Sequence, residues 1–506
     1  MLKIIDDFLN KTTMYKTVLY YLIALWVVAF FLSVFNLLPF TPASMVISLI
    51  ILLVIAWATN YIFSYVFKVP ANVESIYITV FILALIIDPA TTASGYIFLG
   101  WAAVLAMASK YIFAYNHKHL FNPAAFAVVV TGIFLGQYAS WWVGTLWMAP
   151  FVLAGGLALV RKLKRADLVL SFFAIAIIMI LGFSFYNNFN LPTALWKAVA
   201  LSPLLFFAFA MLTEPLTTPP SRFARILYGT FVGLLFLPQM HLWSINFSPE
   251  IALLFGNIFS YFLGPKKRLT LKFKKAVQLA PDTGEFIFEP DMSMNFKPGQ
   301  YLEWTLGHDK VDMRGNRRYF TIASSPTEKE MKLGVKFYER PSSFKTALAQ
   351  MKEGDTLIAS QLSGDFVMPR NKNKKLVFVA GGIGVTPFRS MIKYIMDTGE
   401  KRDIVLFYCT RTEEDLAYKD LLDQATKSTG LKVIYVINEL KNKTAVWAGK
   451  IGRLDEKMIQ GEVKDYGDRT FYISGPPSLV SGMAKTIKEM GIPKRHIKTD
   501  FFPGFA

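Results

Sequence analysis

Cysteine and histidine are nearly missing from this sequence: Cys409 is the one cysteine, and the histidines are His117, His119, His241, His308 and His496. A lone thiol excludes an intrachain disulfide. It also excludes a four-cysteine iron–sulfur cluster or zinc site made by this chain alone. Haem pairs inside a membrane need axial histidines on apolar helices, whereas His117 and His119 stand in a polar run, so neither haem nor any other metal is expected. A third shortage is positional. The stretches 40–43, 89–93, 139–141, 187–194 and 240–249 contain no Lys or Arg.

What is abundant is apolar: 53% of the residues are hydrophobic, 44 are Phe, and the mean hydropathy is +0.38. These averages join two unlike parts that meet at Gly264-Pro265-Lys266-Lys267-Arg268. Before this junction, apolar runs long enough for a hydrocarbon core of roughly 30 Å lie near 17–39, 44–67, 76–88, 94–114, 122–138, 142–160, 166–186, 195–213, 223–239 and 250–264. About ten membrane spans are therefore expected, with the third, fifth, ninth and tenth short. The formal charge of +18 does not indicate nucleic acid, because in the first half Lys and Arg gather on alternate connections, around Lys16, Lys68, Lys110, Arg161, Arg222 and Lys266. By the positive-inside rule this pattern predicts a multi-pass protein of the plasma (inner) membrane with both termini cytoplasmic. Asp6 and Asp7 precede a long span with no small-residue cleavage site after it, so a removed signal peptide is not expected.

The membrane half repeats itself. Asp88-Pro89-Ala90-Thr91-Thr92 recurs as Glu214-Pro215-Leu216-Thr217-Thr218, and Phe121-Asn122-Pro123 as Phe247-Ser248-Pro249, both 126 residues later (214 − 88, 247 − 121). One shared offset predicts a duplication of about five spans, and an odd number makes the copies inverted, with any shared site near the middle of the membrane. Asp88, Thr92, Asn122, Glu214, Thr217 and Thr218 are candidate residues for a membrane flavin or ion, since an ionisable group in lipid is costly. The plainer reading is that Asp88 and Glu214 are water-facing helix ends with proline as terminator.

With His119-Leu120-Phe121-Asn122-Pro123-Ala124-Ala125 and Phe207-Ala208-Phe209-Ala210-Met211-Leu212-Thr213-Glu214-Pro215, this half resembles a ten-span flavin-carrying family. That family includes the B subunit of the sodium-pumping NADH:quinone reductase and the D subunit of the Rnf complex. The resemblance implies flavin within the membrane and electron flow through or across it. The family's Ser/Thr-Gly-Ala-Thr, whose last Thr carries covalent FMN, is absent, and Ser94-Gly95-Tyr96 is only a fragment of it. A non-covalent FMN or riboflavin is the form then implied.

After the junction, short alternating segments separated by Gly and Pro, such as Glu285-Phe286-Ile287-Phe288 and Gln300-Tyr301-Leu302-Glu303-Trp304, predict a small antiparallel barrel. Arg318-Tyr319-Phe320-Thr321-Ile322-Ala323-Ser324 fits a strand, with a guanidinium for phosphate, an aromatic for a flavin ring and a hydroxyl for its redox nitrogen. Ser342-Ser343 offers hydroxyls and amides for a phosphate. Further on, Lys375–Ala380 reads as a buried strand leading into Gly381-Gly382-Ile383-Gly384-Val385-Thr386-Pro387 and a helix to about Asp397. Two more strands, 404–409 and 432–436, alternate with helices, and Phe471–Ser474 runs into Gly475-Pro476-Pro477. This alternation predicts a parallel sheet with ligand at its carboxyl edge.

In this order the motifs resemble the ferredoxin-NADP reductase superfamily, over nearly all of 268–506. The resemblance implies FAD and NADH or NADPH, with Arg318 at the FAD pyrophosphate, Tyr319, Phe320 and Ser324 in the flavin segment, Thr321 at flavin N5, and Ser342 and Ser343 at the second phosphate segment. Gly381, Gly382, Gly384, Thr386 and Pro387 would form the nicotinamide nucleotide loop, and Gly475, Pro476 and Pro477 the nicotinamide pocket. Ser474 replaces the cysteine of many members, and Asp500, Phe502 and Phe505 fall where the family places acidic and aromatic residues at the flavin face. Thr321, Asp500 and Phe502 are the implied catalytic positions. Arg411 would meet a 2′-phosphate, but Glu413, Glu414 and Asp415 oppose one, which tilts the choice towards NADH.

The expected fold is thus multi-domain: a polytopic helical electron-transfer domain (1–265), an FAD-binding β-barrel (266–370) and an α/β NAD(P)-binding domain (371–506). The expected activity is a membrane-bound NAD(P)H:acceptor oxidoreductase that passes electrons from cytoplasmic NAD(P)H through FAD to a quinone or redox protein in or beyond the membrane. The alternative is an FAD reductase anchored to a transporter or scaffold.

Overall fold

A computed structural model describes residues 12–500 apart from 68–72, 116–117, 237–240, 243–244, 247, 264–267, 310, 313–314, 340 and 441–446. Contacts divide the chain into two compact units, Met1–Lys266 and Lys267–Ala506.

The first unit is helical, and each apolar run of the sequence supplies a helix. Among the described residues, four are long and apolar enough to cross a membrane: Met14–Val34, Pro42–Phe67, Ala93–Ile112 and Ala166–Tyr186. The remaining runs form shorter pieces, among them Val73–Ile86, Pro123–Leu135, Ala149–Leu163, Arg222–Leu235 and Pro249–Leu263. The run at 195–213 is not one straight span, because Leu191–Ala200 and Leu204–Met211 meet at 59°. Pro203 lies in that break, where a proline has no amide to continue the ladder. Local chemistry sets the helix ends. Asn122 accepts a hydrogen bond from Ala125 N at 3.0 Å, Pro123 fills the first turn, and Gly136 closes the helix in the left-handed conformation.

The order of elements recurs. Helix Ala93–Ile112, a short hairpin pairing Ala114 with His119, and helix Pro123–Leu135 reappear as helix Arg222–Leu235, a hairpin pairing His241 with Asn246, and helix Pro249–Leu263. Phe172, Phe207 and Phe236 meet at ring distances of 4.9–5.4 Å in the core, while outward-facing Phe31, Ile50, Trp101 and Phe262 stay exposed. That apolar exterior is compatible with membrane association.

The described residues of the second unit form two six-stranded sheets. The first is antiparallel, ordered Arg317–Thr321, Tyr301–Thr305, Thr356–Ser363, Leu269–Ala280, Thr283–Pro290, Met331–Lys336. It curls until its ends meet, with Ala323 N donating to Lys332 O at 2.9 Å. Strand Leu269–Ala280 starts with strict alternation: Leu269, Leu271 and Phe273 point inward onto Phe288 and Trp304, and the residues between them point out. The second sheet is parallel, ordered Lys450–Ile451, Lys432–Ile437, Ile404–Thr410, Leu376–Gly381, Thr470–Ser474, Ile497–Asp500. Its central strand Leu376–Gly381 is buried throughout, as an apolar run covered on both faces requires.

Candidate functional site

The parallel sheet has one topological switch point. From Leu376–Gly381 the chain builds outward through Ile404–Thr410 and Lys432–Ile437, then returns to lay Thr470–Ser474 on the opposite side of the first strand. Ligands bind such sheets outside the carboxyl ends of the strands where the order reverses. Two glycine-rich turns leave the sheet at that point. Gly382 has φ +52°, a conformation that a Cβ disfavours, and a Cβ on Gly384 would sit 2.5 Å from both Gly475 Cα and Ser474 O. The two predicted nucleotide motifs, about 90 residues apart in sequence, therefore touch backbone to backbone. Helix Thr386–Thr398 starts directly behind them, with Pro387 in its first turn and Thr386 Oγ1 donating to Ile383 O at 3.1 Å. Pro476 and Pro477 are exposed beside the crevice. Asp500 is buried and pairs in register with Ser474 at the same edge. Phe502 and Phe505 lie outside the described residues. Arg411 is exposed, and its Nε donates to Glu439 Oε1 at 3.1 Å, so the guanidinium proposed for a 2′-phosphate already holds a carboxylate.

On the barrel, strand alternation separates the predicted flavin residues into two faces. Arg318 and Phe320 point towards Phe344, at 5.4 and 5.9 Å. Arg318 is 1% exposed, its Nη1 donates to Gly315 O and Arg317 O, and its Nη2 lies 3.9 Å from Asp312 Oδ1. Tyr319 and Thr321 take the other face. Tyr319 donates a 2.6 Å hydrogen bond to the buried Glu303 and packs edge-on against Tyr301, the register partner of Thr321. Ser324 lies past the strand end, where its Oγ accepts from Lys332 N at 3.1 Å. Ser342 caps helix Ser343–Ala349, and Ser343 exchanges hydrogen bonds with Asp312. Arg318, Ser342 and Ser343 thus share one side of the barrel, as a phosphate cradle needs. A guanidinium, amides and hydroxyls suit a pyrophosphate, and the turns at Gly382, Gly384 and Gly475 carry no side chain to keep a phosphate off the backbone, so the residues present fit FAD and a nicotinamide nucleotide.

A salt bridge absent from the motifs joins the two sheets. Arg389, on the helix behind the nucleotide loop, pairs with Glu328 and donates to Ala323 O at 3.1 Å. Part-burial opposes the Glu328 charge, but hydrogen bonds from Arg389 and Lys332 outweigh it and hold the carboxyl down at about 2.

In the first unit, the two copies of the repeated motif have different surroundings. Glu214 accepts from Asn122 Nδ2 at 2.9 Å and Thr217 Oγ1 at 3.2 Å, and its Oε1 lies 3.3 Å from His119 Nε2. Asn122 N in turn donates to the fully buried Asn257, which donates to Tyr228. Thr218 Oγ1 contacts Pro215 O. Asp88 is exposed and accepts from Ser140 at 2.6 Å, while Thr92 caps its own helix. Asp88 and Glu214 therefore do not meet in one site. A carboxylate outside the motifs, Glu250, is the buried one and accepts from Trp141 Nε1 at 2.6 Å. Beside Glu214, Asn122 and Thr213 is a cavity of about 40 Å³. That is room for water-sized guests rather than a flavin ring. Position beside Pro249 was the available sequence signal for Glu250. Asn257 and Tyr228 carried none.

A family model described as an oxidoreductase NAD-binding domain matches residues 378–485. The chain is 23% identical over 256 residues to a flavohemoprotein of Halalkalibacterium halodurans, covering 48% of this chain and 60% of the relative. It is 28% identical over 240 residues to NADH-cytochrome b5 reductase 1 of Mortierella alpina, covering 46% of this chain and 78% of that one. The cytochrome b5 reductase domain of Ulva prolifera nitrate reductase, a solved structure, is 22% identical with a TM-score of 0.41, covering 47% of this chain and 99% of that one. Across the flavohemoproteins, the chain spans about half to three-fifths of the relatives' length (60%, 51% and 55%). The C-terminal part of this chain belongs to the FAD- and NAD-binding superfamily of ferredoxin-NADP reductases and flavohemoproteins.

Proposed function

We propose that this protein is a membrane-bound, flavin-dependent NAD(P)H dehydrogenase that takes electrons from cytoplasmic NAD(P)H and passes them into or across the membrane. The observation that carries the reading is the contact of Gly384 with Gly475 at the switch point of the parallel sheet. In this reading the nucleotide lies on that backbone contact, Thr386 and Pro387 start the helix behind it, and Pro476 and Pro477 shape the nicotinamide side. Arg318, Ser342 and Ser343 hold the flavin phosphates, Phe320 and Tyr319 flank the flavin, Ser324 supports the strand end, and Thr321, Asp500 and Phe502 orient the reacting rings. Bound FAD would supply the exchange between two-electron and one-electron chemistry. The residues named here bind and orient, which is what direct hydride transfer asks of a protein. The Arg411–Glu439 pair favours NADH.

The first unit is read as ten membrane-crossing or re-entrant segments in two inverted sets of five, supported by the recurring helix–hairpin–helix order. Its three-domain division of the whole chain is 1–265, 266–370 and 371–506. Electrons would pass to a quinone or redox protein; a non-covalent FMN or riboflavin near Asn122 and Glu214, the relay the resemblance implies, would need a wider cavity than the roughly 40 Å³ beside Glu214. The small cavity beside Glu214 favours a second reading, in which the first unit is a transporter or scaffold that anchors the reductase.

Flavin analysis of the purified chain separates them. One FAD plus one further flavin per chain, both reduced by NADH, supports the relay. FAD alone, with undiminished electron delivery to the membrane acceptor from residues 268–506 expressed by themselves, would sink it.

A further inference from the structure

Four side chains on the barrel form a network that reaches two residues outside every sequence motif, His308 and Asp312. His308 Nδ1 lies 2.9 Å from Leu306 O, and Nε2 lies 2.9 Å from Ser343 Oγ. Ser343 Oγ also accepts from Asp312 N at 3.0 Å, and Asp312 Oδ2 accepts from Ser343 N at 3.0 Å. The other carboxylate oxygen, Oδ1, faces Arg318 Nη2 at 3.9 Å. Two donors assigned above to flavin phosphate, the Ser343 amide and the Arg318 guanidinium, thus face a single carboxylate.

The acceptors decide where the protons sit. A carbonyl oxygen only accepts, so His308 Nδ1 carries hydrogen, and in the neutral ring Nε2 is then an acceptor. Ser343 must give its one hydroxyl hydrogen to His308, leaving only lone pairs for any other neighbour. A phosphate oxygen, itself an acceptor, meets a hydroxyl with no free hydrogen and the negative charge of Asp312 behind it. Protonation of His308 reverses the bond: Nε2–H donates to Ser343 Oγ, the hydroxyl hydrogen is released towards the phosphate, and a positive charge enters the site. The charged groups that reach the ring through Ser343 among the described residues are Asp312, which exchanges hydrogen bonds with Ser343, and Arg318 beyond it. Lys345, on the helix of Ser343, turns away to Lys336 O and the Tyr338 ring.

We infer that His308 and Asp312 are positioning residues of the flavin phosphate site, and that binding of a pyrophosphate there is coupled to uptake of a proton by His308. The inference rests on the reading of Arg318 and Ser343 as flavin-phosphate ligands. Asp312 sets the electrostatic cost of a phosphate entering, and His308 offsets it through the Ser343 hydroxyl. The ligand class is a flavin carrying a pyrophosphate, which distinguishes FAD from riboflavin at this position.

The test uses the full chain in detergent, stripped of flavin and titrated with FAD and with riboflavin at pH 6 and pH 8. The pyrophosphate of FAD keeps its charge across this range, and riboflavin has no phosphate. FAD is expected to bind about tenfold tighter at pH 6, the effect of one charge at a partly desolvated site, and riboflavin equally at both. His308→Gln, or His308→Asn if the first does not accumulate, makes FAD affinity the same at both pH values, and Asp312→Asn tightens FAD at each. Equal FAD affinity of the wild type at the two pH values, pH dependence that persists without the imidazole, or the same dependence with riboflavin overturns the coupling and leaves the FAD reading standing. Failure of the wild type to bind FAD at either pH overturns both.

Discussion

The two units make their candidate sites in opposite ways. In the C-terminal unit the candidate nucleotide crevice is a matter of backbone: Gly384 meets Gly475 where no side chain fits. In the N-terminal unit the candidate site is a matter of side chains: the half-buried Glu214 is held by Asn122, Thr217 and His119. A backbone site tolerates almost no change at its glycines but is indifferent to much around them. A side-chain site in a low-dielectric interior depends on each polar partner, because a buried group that loses its partner keeps its desolvation cost.

The sharpest way to break this contrast is Gly384→Ala. Its new methyl carbon would sit 2.5 Å from Gly475 Cα, and overpacking typically costs about 1–3 kcal/mol. NADH oxidation should fall roughly 10- to 100-fold while the FAD content of the purified protein stays level. An unchanged turnover would remove the crevice from the mechanism. Arg318→Ala should do the reverse, weakening FAD roughly tenfold or more through loss of a charged donor, with riboflavin less affected. Fluorescence titration checks this.

Glu214→Gln tests the side-chain site. Electron delivery to the membrane acceptor should drop several-fold, the scale of one charged hydrogen bond at about 1.5–3 kcal/mol, while reduction of a soluble dye by NADH drops less. Equal losses in both assays would place Glu214 outside the electron path. A smaller effect is expected from Glu328. Its carboxyl is held at about 2 in the folded chain, below the ordinary glutamate range, so its pairing with Arg389 contributes stability above the unfolded value and loses it as pH falls towards 2. The melting temperature should decline by a few degrees between about pH 4.5 and 2, and Glu328→Gln should flatten that decline. The smallest effect belongs to Glu439→Gln at the exposed Arg411 pair. Surface pairs contribute about 0–1 kcal/mol, so the KM for NADPH should fall no more than a few-fold, measured against NADH.

The reductase motifs were legible because each reports a local backbone need. Glycines at 381, 382 and 384 follow a buried apolar strand, and alternation from Leu269 to Phe273 marks an inner face; both need only near neighbours in sequence. That Gly384 would touch Gly475 needed the strand order, since nothing in a turn says which other turn lies beside it. In the N-terminal unit the 126-residue repeat was legible, but Asp88 and Glu214, equivalent in sequence, differ in surroundings: one bonds exposed Ser140 and the other the Asn122 cap. Apolar content likewise located the helices but not the 59° break between Ala200 and Leu204, which depends on how neighbouring helices take up the turn at Pro203.

By itself the sequence determined the division into an apolar helical half and a reductase half, the places of the helices and strands, and the glycine and arginine motifs, because these follow from solvent preference and local conformation. Only the tertiary structure decided which motifs meet: Gly384 with Gly475, Arg318 and Ser343 with Asp312 and His308, and Glu214 with Asn122. Hydrogen bonds and close contacts between residues tens of positions apart act over a few ångströms, and chain order alone does not encode that distance.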